Sequence, residues 1–214
     1  MKVIPRETRK VTYSTEIRNL KKILFNEEQY AFIIGSILGD GCLCENWSKT
    51  NYSLLIAHSV KQKDYVFWKY NILRTWILKE PRFYAKNNSL IIKTISHSQL
   101  TELRNRFYLN NKKVIPHDIE TIMYHPLSLA VWFMDDGNLA SSCGFIHGYH
   151  LNTQSFTFEE NQRLTVMLKN NFGIDCTIQR NHKYYRLFIR AGSKERFKKL
   201  IGNRLIESMR YKLG

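Results

Sequence analysis

Two apolar runs with helical spacing lie in different parts of the chain, and each leads to an aspartate followed by a glycine. The first run covers residues 27–38 and leads to Asp40, and the second covers residues 127–134 and leads to Asp136. Apolar residues recur in both runs at the three- and four-residue intervals that predict a helix. We expect each helix to end at the glycines beside its aspartate, because glycine tolerates the positive φ of a helix C-terminal cap.

The pattern that follows each run is the same in both halves of the chain. Adding 96 to a residue number in the first half takes Asp40 to Asp136 and Trp76 to Phe172. We therefore interpret the chain as one duplicated unit. The predicted organisation is a basic N-terminal arm at 1–26 with a short helix at 15–25, a first repeat at 27–108, a linker at 109–126 and a second repeat at 127–214. The other predicted helices are 61–78, 96–108, 157–172 and 194–205, and the predicted strands are 51–59, 83–86, 90–95, 145–152, 176–180 and 185–190.

Gly35, in the middle of the first run, indicates that the two helices approach each other closely. A glycine inside a helix costs about 1 kcal/mol relative to alanine, and the close approach of another backbone is a reason to keep it. Such packing would bring Asp40 and Asp136 together at the C-terminal ends of both helices. Their mutual repulsion and the helix dipoles make that arrangement unfavourable without a divalent cation. Mg²⁺ suits such a site, because it binds one or two carboxylates together with water and phosphate oxygens.

The overall charge narrows the choice of partners. The chain has 33 basic and 18 acidic residues and a net charge of +15. This excess is typical of a protein that binds a polyanion, either nucleic acid or an anionic membrane surface, and a merely basic protein is the alternative. No apolar run approaches the roughly 20 residues of a membrane-spanning helix, so we expect no membrane partner.

Paired carboxylates, Mg²⁺ and excess positive charge together indicate phosphodiester chemistry. A lysine near the metal could stabilise charge or tune a water molecule. Lys112, Lys113 and Lys212 are the candidates, because each lies in a basic segment after the last helix of its half. The alternative for each of them is a solvent-facing residue or a phosphate contact.

The predicted strands supply a binding surface. Two four-stranded antiparallel sheets related by a pseudo-twofold axis would form a saddle long enough for the major grooves of a duplex. Some strand residues are predicted to be exposed and to contact phosphates or bases, although a solvated sheet face is the alternative. These residues are Ser53, Lys86, Lys93, His150, Arg180, Arg186 and Arg190.

The two runs and the segments around the second one resemble the paired signature of the LAGLIDADG homing endonucleases, in their single-chain form with two motifs. The resemblance extends from about residue 28 to the end of the chain. Its most specific segments are similar to an intron-encoded mitochondrial member of the family from yeast. They are residues 110–116, 129–137, 151–160 and 209–213.

The resemblance implies an α+β fold of two αββαββα repeats, with two antiparallel saddle-shaped sheets and the motif helices packed at the centre. It therefore implies a further strand directly after each motif, at 41–45 and 139–143. It also implies a monomeric enzyme that binds double-stranded DNA and cuts both strands across the minor groove. Cleavage at a long asymmetric site would leave short 3′ overhangs and promote intron mobility.

Three roles in the family map onto this chain: metal-binding carboxylates, backbone carbonyls beside them and basic catalytic residues. These roles fall on Asp40 and Asp136, on Gly39 and Asp135, and on Lys113 and Lys212, respectively. The resemblance implies Mg²⁺ as the cofactor, with Mn²⁺ as a possible substitute. Gly39 departs from the acidic residue often found at its position, so only the backbone role carries over. The segment after Asp136 is short, so the polar neighbours of the family's active site do not transfer.

Two other functions stay open at this point. Some relatives are RNA maturases that assist splicing of their host intron, and intron RNA is then a partner. A repressor-like DNA binder with a decayed active site is disfavoured by the intact Asp40 and Asp136. The expected compartment is intracellular, either a mitochondrion, a chloroplast or a bacterial cytoplasm. Because Gly39 and Asp135 differ, we expect the two DNA strands to be cut at different rates.

Overall fold

A computed structural model describes residues 14–214, so residues 1–13 of the predicted basic arm lie outside the described part of the chain. The described chain divides into two compact units. The first contains residues 14–30 and 41–104, and the second contains residues 31–40 and 105–214. Residues 31–40, which are most of the apolar run and Asp40, therefore belong to the second unit, together with the run that leads to Asp136.

The first unit is built on a four-stranded antiparallel sheet with the strand order β1-β2-β4-β3. Leu54 and Ile56 of the second strand are buried on one face of this sheet. Two helices, α2 and α4, begin in this unit and continue into the other. The elements are α1 (Thr15–Leu20), α2 (Glu27–Leu38), β1 (Cys42–Glu45), β2 (Tyr52–Ser59), α3 (Lys63–Ile72), β3 (Arg82–Tyr84), β4 (Ser89–Lys93) and α4 (Ser98–Phe107).

The second unit also has a four-stranded antiparallel sheet, with the order β7-β8-β10-β9. Tyr149 of its second strand packs against Phe133 and Phe197, with ring centroids 5.6 and 5.0 Å away. These three rings join the sheet to two helices in the core. The elements are β5 (Tyr108–Leu109), β6 (Lys112–Lys113), α5 (Ile119–Ile122), α6 (Pro126–Asp136), β7 (Gly137–Ser142), β8 (Phe145–Leu151), α7 (Phe158–Phe172), β9 (Cys176–Asn181), β10 (Tyr184–Ile189) and α8 (Lys194–Ile201).

The two sheets share one plan: an outer strand, its hairpin partner, then the fourth strand and finally the third. Together with the helices between the strands, this confirms the predicted α+β class and its two antiparallel sheets. It also confirms a strand directly after each motif, β1 and β7, which helical periodicity could not reveal. The assignment of residues 27–108 and 127–214 as two repeats stays a prediction, which the equal strand orders support.

Local signals in the sequence explain the best-defined helix, α7. Thr157 and Glu160 form a capping box: the Glu160 N–H donates to Thr157 Oγ1 at 3.2 Å, and the Thr157 N–H donates to Glu160 Oε2 at 2.7 Å. Gly173 ends the helix in the left-handed conformation with φ 66°. Glu160 also accepts from the Ile115 N–H at 3.0 Å, which ties this helix to the segment that follows β6.

Three of the predicted helices are shorter than expected. The helix predicted at 15–25 is α1, which ends at Leu20. The other two each have a side chain bound to a carbonyl near the helix end. The helix predicted at 61–78 is α3, which ends at Ile72, where Gln29 Nε2 donates to the Ile72 carbonyl at 3.3 Å. Two short 3₁₀ helices flank it. The helix predicted at 194–205 is α8, which ends at Ile201, and the Arg204 side chain donates to the Leu200 carbonyl at 3.0 Å.

The expectation of positive φ at the glycines that end the motif helices is wrong at Gly39 and Gly137. Gly137 has φ −86°, and Gly39 is also outside the left-handed region. Both are required by space instead. A side chain at Gly137 would collide with the Phe133 ring, and one at Gly39 would collide with the side chain of Asp135.

The predicted linker at 109–126 has structure of its own. Strands β5 and β6 form a hairpin whose two turn residues, Asn110 and Asn111, have φ 49° and 61°. Positive φ at both turn positions is the pattern of a type I′ turn, and asparagine is one of the residues that tolerate it. The hairpin places Lys113 opposite Tyr108.

None of the helices between residues 14 and 214 has the length and apolar character of a membrane span.

Candidate metal centre and adjacent sheet face

The two motif helices, α2 and α6, are in close contact within the second unit. A side chain at Gly35 would collide with the carbonyl oxygen of Ser128 and would lie 2.8 Å from the Val131 Cβ. No other residue type fits there without moving the α6 backbone. The structure therefore confirms the reason that we gave for a glycine inside the first helix.

The C-terminal ends of the two helices meet at their acidic residues. The Asp40 N–H donates to Asp135 Oδ2 at 3.2 Å, so the carboxylate of one helix binds the backbone of the other. Asp40 is exposed, whereas Asp135 and Asp136 are partly buried. The missing side chain of Gly39 leaves the space that Asp135 occupies.

The two lysines suggested by the resemblance lie at this junction. Lys113 Nζ donates to the Gly39 carbonyl at 2.9 Å, held there by the β5–β6 hairpin. Lys212 Nζ donates to the carbonyls of Met134 and Asp135 at 2.6 and 3.1 Å. It lies at the end of a 3₁₀ helix, Glu207–Lys212, whose Met209 is buried. Lys112, the third candidate, is exposed and carries no role at this junction.

The electrostatic environment of Asp136 differs strongly from that of an exposed carboxyl group. Burial, followed by the negative charges of Asp40 and Asp135, raises the pKa of Asp136 to about 7, and Lys113 and Lys212 act in the opposite direction. A raised carboxyl pKa means that the ionised form lacks enough positive charge nearby. The residues therefore fit a cation that binds oxygen ligands, which would supply that charge.

The oxygen atoms at this junction are of the type that a hard divalent cation binds. Carboxylates come from Asp40 and Asp136, and carbonyls come from Gly39 and Asp135, which here accept from the two lysines. Mg²⁺ and Mn²⁺ both prefer such all-oxygen surroundings. The second unit thus brings together the six residues onto which the family resemblance maps a catalytic or metal-binding role.

One face of the second sheet faces away from the core. Tyr149, Leu151 and Leu187 lie on the core face and are almost completely buried. The alternating residues lie on the other face, since side chains alternate along a strand. Strand pairing sets Asn138 and Phe188 opposite His150, and Gln179 opposite Arg186. This row of polar and aromatic side chains is called the outer face below.

The outer face corrects two of the predicted contact residues. His150 was expected to be exposed, but only 9% of it is accessible, because Phe188 packs against its ring at 5.3 Å and Gln179 binds its Nε2. Arg180 lies on the opposite face from Arg186, next to Tyr185. Tyr185 contacts Phe158 of α7, so Arg180 is on the helix side of the sheet.

The remaining predicted contact residues divide into exposed and buried positions. Arg190 and Lys93 are exposed, and Arg186 is half-buried with an Nε atom that lacks a partner among residues 14–214. Lys86 is exposed in a 3₁₀ turn before β4. Ser53 was predicted to be exposed but is 2% accessible, because its hydroxyl donates to the Cys44 carbonyl at 3.2 Å.

The sequence analysis missed a polar cluster on the outer face. Asn138, Asn152 and Gln179 are joined to His150 directly or through one another, at heavy-atom distances of 2.9 to 3.5 Å. A signal for Asn138 was present, because it follows the second motif by two residues in a strand that begins at Gly137. Nothing in the local sequence indicates that Gln179 lies next to His150, since 29 residues separate them.

Comparison with known proteins agrees with this geometry. The sequence model of the LAGLIDADG DNA endonuclease family matches residues 30–197. A probable intron-encoded endonuclease 1 from Wickerhamomyces canadensis is 29% identical over 210 residues, covering 94% of this chain and 88% of the relative. A cytochrome b mRNA maturase bI2 from Debaryomyces hansenii is 28% identical over 212 residues, covering 94% of this chain and 78% of the relative.

Among solved structures, the homing endonuclease I-WcaI bound to its DNA recognition sequence is similar, with a TM-score of 0.84 and 26% identity. The match covers 94% of this chain and 93% of that chain, so the whole fold is shared. The family match includes both motif helices and both sheets of the described structure. On this evidence, the chain belongs to the LAGLIDADG DNA endonuclease family.

Proposed function

We propose that this chain is a site-specific homing endonuclease that cuts double-stranded DNA. The reaction is metal-dependent hydrolysis of one phosphodiester bond in each strand, leaving short 3′ overhangs at a long asymmetric target and promoting intron mobility. One observation carries this proposal: Asp40 and Asp136 meet at two helix ends, and burial and charge repulsion raise the pKa of Asp136 to about 7. A carboxyl pair in this state is matched to a cation and to phosphate chemistry.

The residues at the junction have different chemical roles. Asp40 and Asp136 hold Mg²⁺, or Mn²⁺ in its place, with help from the carbonyls of Gly39 and Asp135. When bound, the metal supplies a polarised phosphate and a water molecule of lowered pKa. Lys113 and Lys212 lie within 3.1 Å of the carbonyls beside these carboxylates, so both can stabilise the negative charge that develops on the phosphate.

The sheets supply the DNA-binding surface in this proposal. The net charge of +15 attracts the phosphate backbone at long range. Arg186 is a base- or phosphate-contact candidate in the second sheet, since it lies opposite Gln179 on the outer face and is half-buried. Lys86, Lys93 and Arg190 are exposed and suit phosphate contacts. His150, Ser53 and Arg180 do not keep a direct role, because the first two are buried and the third lies on the helix side.

A second candidate function is RNA maturase activity on the host intron. The observation in its favour is the 28% identity to a protein named cytochrome b mRNA maturase bI2, over 94% of this chain. The intact pair of Asp40 and Asp136 favours the endonuclease, since a splicing cofactor does not need a metal centre for DNA hydrolysis. In either case we expect a monomer that acts on an intron-bearing gene or its transcript inside a cell or organelle.

The decisive experiment is cleavage of a plasmid that carries the intronless allele of the host gene, with Mg²⁺ present. We expect the wild type to linearise it, and Asp40→Asn and Asp136→Asn to lose about a thousandfold or more of the rate, because each removes a charged metal ligand. Asp64→Asn, which changes an exposed aspartate in the first turn of α3, is the matched control and should cut normally.

Two results would contradict the endonuclease proposal. One is a wild-type protein that leaves this plasmid intact at every Mg²⁺ concentration but accelerates splicing of the intron RNA, which supports the maturase instead. The other is wild-type cleavage by Asp40→Asn and Asp136→Asn, because the metal centre would then be in the wrong place.

A further inference from the structure

We propose that Gln179 reads one base pair of the DNA target with its side-chain N–H groups, because the hydrogen bond with His150 turns its side-chain oxygen toward the imidazole. Gln179 is thus a specificity-determining residue, and His150 is the positioning residue that fixes its orientation. The inference rests on the proposed function, since it takes the outer face of the second sheet as the surface that contacts DNA.

Strand pairing brings the members of this cluster together. His150 in β8 lies opposite Asn138 in β7 and opposite Phe188 in β10. Gln179 in β9 lies opposite Arg186, one pair further along the same face. The imidazole therefore has an amide on each side: Asn138 Nδ2 is 3.5 Å from its Nδ1, and Gln179 Oε1 is 3.1 Å from its Nε2.

The direction of these hydrogen bonds can be deduced from one fixed point. Asn138 Nδ2 donates to the Leu139 carbonyl at 2.9 Å, and a carbonyl only accepts, so this atom must be the amide nitrogen. The same nitrogen faces His150 Nδ1, which must therefore be the acceptor. The proton of a neutral imidazole then lies on Nε2, and the Gln179 atom that faces Nε2 must be its oxygen.

The environment of His150 keeps the imidazole neutral. Burial, followed by the positive charge of Arg186, lowers the pKa of His150, and only the hydrogen bond with Gln179 acts in the other direction. A neutral imidazole has one donor and one acceptor, which are the two functions that its neighbours require. The ring is 9% accessible, so water does not compete for these bonds.

The cluster is anchored on the side away from Gln179. Asn152 Nδ2 donates to Asn138 Oδ1 at 2.9 Å, which uses the remaining polar atom of that amide. The Asn152 N–H donates to the Asp136 carbonyl at 3.0 Å. The orientation of Gln179 is therefore set by a continuous chain of hydrogen bonds that begins at the backbone of the metal centre.

What remains for recognition is the Gln179 amide nitrogen. Gln179 is partly exposed, and among residues 14–214 no group accepts from its Nε2. A glutamine that is free to use both atoms pairs with adenine, donating to N7 and accepting from N6. The bond to His150 turns Oε1 toward the imidazole, so the polar atom that has no partner among residues 14–214 is the nitrogen Nε2, which only donates. Its N–H groups suit guanine, which presents N7 and O6, or thymine, which presents O4, and they leave the N6 amino group of adenine without a partner.

The test is selection of cleaved duplexes from a randomised DNA library, comparing wild type with Gln179→Ala, His150→Phe and His150→Gln. We expect the wild type to prefer guanine or thymine at one strand position by about tenfold, and Gln179→Ala to lose that preference there alone. His150→Phe should admit adenine at the same position, because the Gln179 oxygen is released. His150→Gln can restore a donor to that oxygen and should recover much of the wild-type preference. Asn181→Ala, two residues along β9, is the matched control and should leave this position unchanged.

The imidazole itself provides a second measurement that does not require a variant to fold. Nitrogen NMR of ¹⁵N-histidine-labelled wild type should show His150 protonated at Nε2 and unprotonated at Nδ1. A proton on Nδ1 overturns the inference. So does a His150→Phe protein that cleaves DNA with the wild-type preference at the Gln179 position. If the wild type selects no sequence and binds no duplex, the proposed function fails, whereas altered preferences at other positions only would overturn this inference alone.

Discussion

The ends of the two motif helices occupy equivalent positions in the sequence but differ in their surroundings. Asp40 is exposed, whereas Asp136 is partly buried with its pKa raised to about 7. The residues before them differ as well, since Gly39 has no side chain and Asp135 extends its carboxylate to the Asp40 amide, 3.2 Å away. The comparison shows that the second copy of a motif does not have to repeat the chemistry of the first.

The two helix ends are complementary in shape, because the side chain of one fills the space that the other leaves. A side chain at Gly39 would occupy the space that the Asp135 side chain already fills. The Asp135 carboxylate therefore contacts both helix ends, and a second carboxylate at position 39 would have no room. The lysines follow the same division: Lys113 binds the Gly39 carbonyl, and Lys212 binds the carbonyls of Met134 and Asp135. Each helix end thus has its own lysine, which binds a backbone carbonyl of that end.

The largest effect is expected from breaking this complementarity. Gly39→Asp should destabilise the protein by about 2–4 kcal/mol and abolish detectable cleavage, because it adds a side chain to occupied space and a charge next to Asp135. Adding Asp135→Gly should recover most of the lost stability, since the double change exchanges the two residues. Urea denaturation and plasmid cleavage measure both effects. Gly192→Ala, where no atom lies within 4 Å of an added Cβ, is the matched control. No recovery in the double variant would mean that the two positions are not complementary.

Substitution of either lysine should have an effect of intermediate size on the cleavage rate. Lys113→Met and Lys212→Met should each slow cleavage by about 10²-fold, because each removes a charge beside the reacting phosphate. Since each lysine binds the carbonyl of one helix end, the two variants should shift the ratio of nicking rates on the two strands in opposite directions. Labelled strands in a single-turnover assay report this ratio.

Lys112→Met is the matched control for the lysine variants, because Lys112 is an exposed neighbour of Lys113 in the same strand. It should stay within about threefold of the wild-type rate, as surface charges contribute little to a buried site. The unmodified enzyme should nick the two strands at unequal rates. Equal nicking rates on the two strands, in the wild type and in both lysine variants, would show that the difference between the helix ends does not affect the reaction.

The smallest effect is expected on stability without metal. The folded-state pKa of Asp136, about 7, lies above its ordinary value of 3.8, so ionisation of this group destabilises the folded state. The penalty is absent below pH 4, grows between pH 4 and 7 and is complete above pH 7. Asp136→Asn should therefore be more stable than wild type by about 1–2 kcal/mol at pH 8 in chelator, and by much less at pH 4. Thermal unfolding at the two pH values measures this difference.

Asp40→Asn is the comparison for the stability measurement, because Asp40 is exposed. Its effect on unfolding should be smaller than that of Asp136→Asn at pH 8. With Mg²⁺ added, the wild type should become more stable than Asp136→Asn, since a bound cation stabilises the folded state that holds it. An Asp136→Asn protein whose stability follows that of wild type from pH 4 to pH 8 would contradict the raised pKa.

Much of the fold follows from local patterns. The hydrophobic pattern located β8 and β10, and it predicted the start of α7 to within one residue. Helix ends were less predictable where a distant side chain decides them, as Gln29 does at Ile72. The hairpin at Asn110 and Asn111 was interpreted as a loop, because two-residue strands carry too few positions to show a pattern.

The candidate site divides in the same way. The pairing of Asp40 with Asp136 was accessible from the constant offset and from Gly35. The basic segments after the last helix of each half gave three candidate lysines, which the family resemblance narrowed to Lys113 and Lys212. The exposure of His150 and Ser53 and the sheet face of Arg180 were predicted incorrectly, because alternation gives the two faces of a strand but not which of them another element covers. Gln179 was missed since its role depends on a neighbour in another strand.

The sequence by itself determined the two acidic helix ends, their spacing, the positive charge and the order of helices and strands. Periodicity and composition depend on residues that are close together in the chain, so they can be identified from the sequence alone. Only the tertiary structure decided that Asp136 is the buried member of the pair, that Asp135 fills the space left by Gly39, and that His150 orients Gln179. Burial and hydrogen-bond direction depend on which atoms meet across the fold, and residues far apart in the chain decide that.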